Sequence, residues 1–369
     1  MTYNSILTYG GNGNGSADNL AALNSAIAAI PNGGTIYFPA GTYLFSAQAE
    51  YNLAALQGVT IIGDGVDASV LYWPAGGGLA FNYSSSAPGT GSSVNVRDVT
   101  FTTGANGSGI GLSLNDSGGD SLNYAFSQIT RVAFRGSDGY VETHYWGTCV
   151  LVAVANVMIE GVNFSGPAAV NGVGLEIQGT STSQPPNQFN ITSCLFQAHS
   201  YGLIYGAETQ GVTVSQSNFL SCTFGLASPA SSSNLGLLQL TVMGCQFGYC
   251  ANSGIQINYQ ITATTITGTL FLVNPGQTGL TVVNCNELVV VGNNFSQNTQ
   301  TGGNGINIGS TVSGAGGGII TGNFFNGLGA AVTLGSGTNN INVQANTYHA
   351  TTVTVSNGSS GNSIGVATQ

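Results

Sequence analysis

The sequence predicts an all-β fold, a right-handed single-stranded parallel β-helix (a solenoid), closed at one end by a short N-terminal helix. Three observations predict it. An aliphatic-to-aromatic unit recurs along the chain, a small residue with alternating apolar positions follows each unit, and an amphipathic segment precedes them all.

The recurring unit is a β-branched aliphatic residue, four residues, then an aromatic. Its members are Val96/Phe101, Ile129/Phe134, Ile159/Phe164, Ile191/Phe196, Val214/Phe219, Val242/Phe247, Ile266/Phe271, Val290/Phe295, Ile320/Phe325 and Val343/Tyr348. Successive aromatics lie 23 to 33 residues apart, so the shorter turns are bare coil and the longer ones carry loops. The second element reads Gly109-Ile110-Gly111-Leu112, Gly174-Leu175-Glu176-Ile177, Gly202-Leu203-Ile204-Tyr205, Gly254-Ile255-Gln256-Ile257, Gly279-Leu280-Thr281-Val282, Gly305-Ile306-Asn307-Ile308 and Ala331-Val332-Thr333-Leu334. A period of two puts one face in and one out. No single turn can bury its own apolar face, so stability comes from stacking turns about 4.8 Å apart. The aromatics then form one internal ladder. Cys194 and Cys245 sit two residues before their aromatic, and Cys222 and Cys250 three after theirs. That register makes them small packing residues, with a disulfide as the alternative.

Ahead of the repeat, Ser16-Ala17-Asp18 has the composition of a helix start. Leu20, Leu23, Ile27 and Ile30 follow at helical spacing and Pro31-Asn32-Gly33-Gly34 ends the run. A helix here covers the open end of the coil. Residues 1–45 are assigned to this cap and the first strands, and 46–369 to the β-helix continuous with it as one domain. Gly34-Thr-Ile-Tyr-Phe-Pro-Ala-Gly-Thr-Tyr43 reads as strand, turn, strand.

A helix, the phrase GGTIYFPAGTY at 33–43 and a train of β-coils resemble the pectate-lyase-like superfamily, especially its bacteriophage tailspike-type members. The resemblance implies a virion-borne or extracellular protein, a homotrimer, and action on polysaccharide. The chain departs from larger tailspikes in starting almost at the capping helix and in showing no C-terminal trimerisation domain.

Composition narrows the partners. Charged residues are 4% of the chain, against about a quarter in most proteins, with no lysine and only Arg97, Arg131 and Arg135 as cations. A net charge of −10 argues against nucleic acid, which is bound through basic patches, and against anionic membranes. No apolar run reaches the roughly 18 residues that span a bilayer. The start, MTYNSILTYGG, lacks a signal peptide's basic flank, so the expected routes outward are removal of a leader or release within a virion. The six cysteines show no metal-type spacing, and no metal or cofactor is expected.

The resemblance also says which chemistries to test. Uronate lyases of this fold neutralise the substrate carboxylate with Ca²⁺ held by clustered acids or with Arg and Lys, and this chain has neither the lysines nor an acid cluster. Polygalacturonases of the fold carry Asn-Thr-Asp, Asp-Asp and Gly-His-Gly motifs, none of which occurs here. Hydrolysis of a neutral glycan needs only two carboxyls, roughly 5–5.5 or 6.5–9.5 Å apart. The densest group is Arg135-Gly-Ser-Asp138-Gly-Tyr140-Val-Glu142-Thr-His144-Tyr145-Trp146. If 142–146 is extended, Glu142, His144 and Trp146 share a face and offer an acid, an imidazole and a ring for sugar stacking. The catalytic candidates are Asp138, Glu142 and Glu176, the last from the neighbouring turn. Tyr140, His144, Tyr145 and Trp146 are binding candidates, with Tyr201, Tyr205 and Glu208 one turn further on. Against each stands a plainer role: a polar loop contains such residues by default, Trp146 can be loop packing, and His144 can simply hydrogen-bond. His199 and His349 read as corner residues and Glu160 as a solvated strand position.

Three functions follow. One is a tailspike-type virion surface protein that binds, and as a glycoside hydrolase cleaves, a neutral surface polysaccharide. The alternative is a non-catalytic structural or adhesive β-helix, such as a virion appendage bound to other virion proteins. An intracellular scaffold fits the composition least.

Overall fold

The computed structural model describes residues 3–54, 56–83, 91–116, 125–179, 186–206, 209–228, 239–258, 263–297, 302–311 and 316–365. The chain divides into two compact units, Met1–Ser200 and Tyr201–Gln369. Each is a right-handed parallel β-helix whose successive turns lay strands on three faces, the helix taking the third position in the first turn.

In the first unit one face runs through Gly33–Phe38, Gly58–Gly63, the start of Ser93–Thr103, the start of Ser127–Gly136, and Val157–Glu160. After a bend the chain continues on a second face, through Gly41–Leu44, Ser69–Trp73 and the ends of the two long strands to Asn163–Ser165 and Leu195–Gln197. The third face is Ala49–Leu53, Leu79–Tyr83, Ile110–Asp116, Thr148–Val152 and Val173–Ile177. All these pairings are parallel, each strand lying on the same strand of the next turn.

The bend has one cause. Three residues before each repeat aromatic the backbone turns left-handed: Asp98, Arg131, Gly161 and Ser193 in the first unit, and Gln216, Gly244, Gly268, Gly292, Gly322 and Ala345 in the second, with φ between 49° and 66°. One such residue redirects the chain from the first face to the second, within one long strand at Asp98 and Arg131 and between two short strands at the others, and glycine takes the conformation at least cost.

The predicted ladder is present within each unit. Phe101 stacks on Phe134 at 5.0 Å, Phe134 on Phe164 at 5.7 Å and Phe164 on Phe196 at 4.5 Å. In the second unit Phe219, Phe247, Phe271, Phe295, Phe325 and Tyr348 stack at 4.5 to 5.5 Å. All ten repeat aromatics are buried. The recurring small residue now has a reason: a Cβ at Gly225, Gly254, Gly279 or Gly305 would lie 2.6 to 3.0 Å from a ladder ring. The sequence alignment is corrected at one place. The equivalent of Gly174 two strands back is Gly111, not Gly109, since Ile110 pairs with Thr148 and Thr148 with Val173.

The helix spans Leu20–Ala28, buries Ala22, Leu23 and Ala26, and packs on the 3₁₀ turn Ile6–Tyr9 and the strand Ala49–Leu53. Its start differs from expectation. Ser16 to Asp18 end a strand, Asn14–Asp18, and Asn19 is the residue before the helix. The Asp18 carboxylate accepts from the backbone N–H of Leu20 and Ser46 and from the Ser46 hydroxyl, joining helix start to coil. No helix among the described residues is long and apolar enough to cross a membrane. Cys149, Cys194, Cys222, Cys245 and Cys250 are buried thiols, consistent with packing.

Candidate functional site

The loop that follows Ser127–Gly136 contains most of the predicted group. It reverses sharply: Gly136 bridges Gly139, and any Cβ at Gly136 would collide with the His144 carbonyl and the Asp138 side chain. Asp138 holds the reversal closed, accepting from the backbone N–H of Thr143 at 3.0 Å and of His144 at 3.1 Å. The His144 ring lies beside it, Nδ1 3.5 Å from Asp138 and 3.1 Å from the Ser137 hydroxyl. Burial pushes the Asp138 carboxyl up, but the backbone N–H groups of His144, Thr143 and Asp138 itself, with the neighbouring His144 ring, together outweigh it and hold it below its ordinary value. Asp138 is thus an ionised loop clamp, unsuited to giving a proton.

Arg135 and Tyr140 meet a residue that sequence reasoning did not single out. The Arg135 guanidinium donates from Nε and a terminal nitrogen to one oxygen of Asp67, at 3.0 and 2.9 Å. The Tyr140 hydroxyl donates to the other oxygen at 2.8 Å, and the guanidinium lies over the Tyr140 ring, 5.3 Å from its centroid. Burial, then the bond to Asp67, pushes the Tyr140 phenol up to about 12. Asp67 sits in a left-handed turn, its own N–H bonded to the Thr100 hydroxyl. It is 68 residues from Arg135 in sequence, so only the register of the turns brings them together.

Tyr145 rests against Gly107, where a Cβ would strike its ring, and its hydroxyl accepts from the Asn171 amide at 3.0 Å. Glu142 is exposed; its backbone carbonyl accepts from Ala168, tying this loop to the next. Two expectations are corrected. Segment 142–146 bends instead of running extended, and Trp146 is fully buried, its Nε1 donating to the Phe101 carbonyl and its ring edge-on to Trp73. An indole that fills the core cannot stack on a sugar, so Glu142, His144 and Trp146 do not share a face.

Glu176 occupies the outward position of Val173–Ile177, paired with Leu151. Burial pushes its carboxyl up, with the Thr148 hydroxyl opposing, and no second acid contributes. In the second unit Tyr201 is half-exposed and stacked on Phe224 at 5.3 Å. Tyr205 is corrected to a core residue, fully buried. Glu208 lies outside the described residues. His199 is also sealed in, neither ring nitrogen in hydrogen-bonding geometry, and burial lowers its imidazole to about 4. Among the described residues no three His, Cys, Asp or Glu side chains group as metal ligands would.

Fold and surface together define a parallel β-helix with its polar chemistry on the outer faces and corner loops of the coil. The chain belongs to the family described as rhamnogalacturonase A/epimerase, pectate lyase-like, whose family model matches residues 3–227. No curated protein matches the sequence. Among solved structures it is similar to the A-module of the Azotobacter vinelandii mannuronan C-5 epimerase AlgE4. There the TM-score is 0.74 at 18% identity, over 98% of this chain and 100% of that one. It is also similar to the lidless DFA-IIIase of Arthrobacter chlorophenolicus (TM-score 0.65, 14% identity, 94% and 95% covered). A third is tailspike protein 3 of bacteriophage CBA120 (TM-score 0.60, 13% identity, 97% and 62% covered). At these identities the likeness shows the fold alone.

Proposed function

We propose that this chain binds a neutral polysaccharide through its first unit, as a tailspike-type protein at a virion or extracellular surface. The observation that carries the reading is the Asp67–Arg135–Tyr140 cluster, half-exposed and locked by mutual hydrogen bonds, inside the segment matched by the family. Fixed polar groups around an aromatic edge recognise sugar hydroxyls at little ordering cost. Fold neighbours that include a mannuronan epimerase and a phage tailspike support a polysaccharide as the ligand, and the tailspike supports the location; that the glycan is neutral rests on the scarcity of cations in this chain.

Within this reading Glu176 is the group suited to protonate a leaving oxygen, because burial favours its neutral form. Asp138, ionised, and Glu142, exposed, are the candidate acceptors. The test is incubation with the surface polysaccharide of the producing host, following both retention and chain length. Retention is expected, and Tyr140→Ala should weaken it about tenfold, as lost hydrogen bonds to a charged partner do. If chains shorten, Glu176→Gln should stop the shortening and leave retention intact. Failure of the wild type to retain the glycan would overturn the proposal.

A second reading, a non-catalytic adhesive or structural subunit, is favoured by the low acid content, thirteen carboxylates in the chain, one of which, Asp138, is engaged by the backbone N–H groups of its own loop. Retention without shortening is its signature. Either role suits a homotrimer docked to other virion proteins, and sedimentation at micromolar concentration giving only the 37.2 kDa monomer would exclude the trimer.

A further inference from the structure

Arg97 stands apart from the other two arginines. Arg131 is bound to Asp98 through two hydrogen bonds of 2.7 and 2.9 Å, and Arg135 to Asp67. Arg97 is half-buried and, among the described residues, makes no hydrogen bond or ion pair. Asp98, its neighbour in the chain, is already engaged by Arg131.

Its surroundings are equally unused. Arg97 points outward from its strand, since Val94 and Val96 point in and are buried. It is paired with Ile62 on one side and Thr130 on the other. The next outward row holds Thr60, Asn95 and Gln128 in register. None of Thr60, Asn95, Gln128 or Thr130 has a side-chain partner among the described residues. At two other places on the unit outward polar groups are bound to one another, Asn52–Asn82–Asn115 and Tyr37–Asp64.

We propose that the outward face of Gly58–Gly63, Ser93–Thr103 and Ser127–Gly136 is a second sugar-binding site. There Arg97 takes one singly charged oxyanion substituent, a carboxylate or a sulfate ester, and Thr60, Asn95, Gln128 and Thr130 take nearby hydroxyls. Rows about 4.8 Å apart across the strands and about 7 Å along them match the spacing of groups on one or two sugar rings. The strands are paired on both sides, so the donors are held in place before the ligand arrives. The guanidinium fork fits one oxyanion in two-point contact. Glu160, one strand beyond Thr130 in the same row, and a net charge of −10 disfavour a polyanion. The site lies on the other side of the left-handed bend from Tyr140 and does not rest on the neutral-glycan reading. Retention of a neutral glycan at Tyr140 would survive its loss.

With three arginines in the chain, their side-chain Nε–H signals can be followed individually by NMR in the intact protein. Arg97→Gln, an outward change, identifies the Arg97 signal. Methyl glucuronide and glucose 6-sulfate at millimolar concentration should each move that signal and leave those of Arg131 and Arg135 in place, and methyl glucoside should not move it. Arg97→Gln should weaken the binding of both charged sugars about tenfold. The Asn95→Ala, Gln128→Ala double variant should weaken it several-fold while keeping the shift at Arg97. A still Arg97 signal with both charged sugars would overturn the proposal, and an equal shift with inorganic sulfate would reduce the site to an ion site.

Discussion

The two units build the same coil from different corner chemistry. All three arginines and eleven of the thirteen acids fall in Met1–Ser200; only Glu208 and Glu287 fall in Tyr201–Gln369. At the left-handed bend the first unit places Asp98, Arg131, Gly161 and Ser193, whereas the second places glycine at four of six positions. One residue later, inside the bend, the first unit buries Val99, Val132, Val162 and Cys194. The second buries Ser217, Cys245, Thr269, Asn293, Asn323 and Asn346. The asparagines form a ladder: each side chain accepts the backbone N–H of its counterpart one turn back. Asn293, Asn323 and Asn346 also donate to the carbonyls of Ile266, Val290 and Ile320 at 2.9 Å. The second unit thus relaxes its bends with glycine and stitches them with amides. The first accepts about 1–2 kcal/mol at each non-glycine bend, and two of those residues, Asp98 and Arg131, form a surface ion pair. Such bends recover little stability, so their place is explained by the surface they shape. The chemistry-bearing unit is the one with the less relaxed corners.

The comparison can be broken where the units should agree. Phe219→Ala in the second unit and Phe164→Ala in the first should each cost about 3–5 kcal/mol in chemical denaturation, because both leave a gap in a close-packed ladder. A cost near zero in either would mean that unit has no ladder holding it together.

It is sharpened by acid. His199 in the first unit is held neutral, its folded imidazole near 4 against 6.5 when exposed. The unfolded chain therefore takes up a proton that the folded chain refuses. Its contribution is complete above pH 6.5 and is lost as the pH falls toward 4, by about 3 kcal/mol in all. Glu176, raised by burial, works in the opposite direction. The measurement is the stability of wild type minus that of His199→Gln across that window, a difference that should fall by about 3 kcal/mol from pH 6.5 to 4 because the other titrating groups are common to both. Equal slopes would contradict the sealed, uncharged state of His199.

The amide ladder predicts a loss confined to the second unit. Asn323→Ala strips an acceptor from the Asn293 N–H and donors from Val290 and Asn346, and should cost about 2–3 kcal/mol in denaturation. A cost below that of Val132→Ala at the matching place in the first unit would show that the ladder is ornamental. The smallest effect belongs to the surface. Arg131→Gln should change stability by less than about 1 kcal/mol, since the Arg131 side chain is 61% exposed and its pairing with Asp98 is open to salt.

The coil was readable from residue order because its causes are local and repeated. An aromatic ten times at one offset from a β-branched residue, nine Phe and one Tyr, with glycine beneath the ring, can only be satisfied by stacking. The helix 20–28 and the strand-turn-strand of 33–44 were legible from spacing and from Pro39 and Gly41 in the same way. Glu176 was legible as outward because alternation has no other reading. What the sequence could not reveal were the choices made between turns. Trp146 looked like a loop ring but fills the core, because the segment before it bends where an extended one was expected. Tyr205 is buried by the same inward alternation that exposes its neighbours. Asp67 meets Arg135 and Tyr140, and Arg97 is left alone among unpaired amides and hydroxyls, only because parallel turns of unequal length come into register. Residue order determined the fold because each turn repeats the same packing problem. Tertiary structure decided the surface, because loop length is free to vary and sets which side chains from distant turns become neighbours.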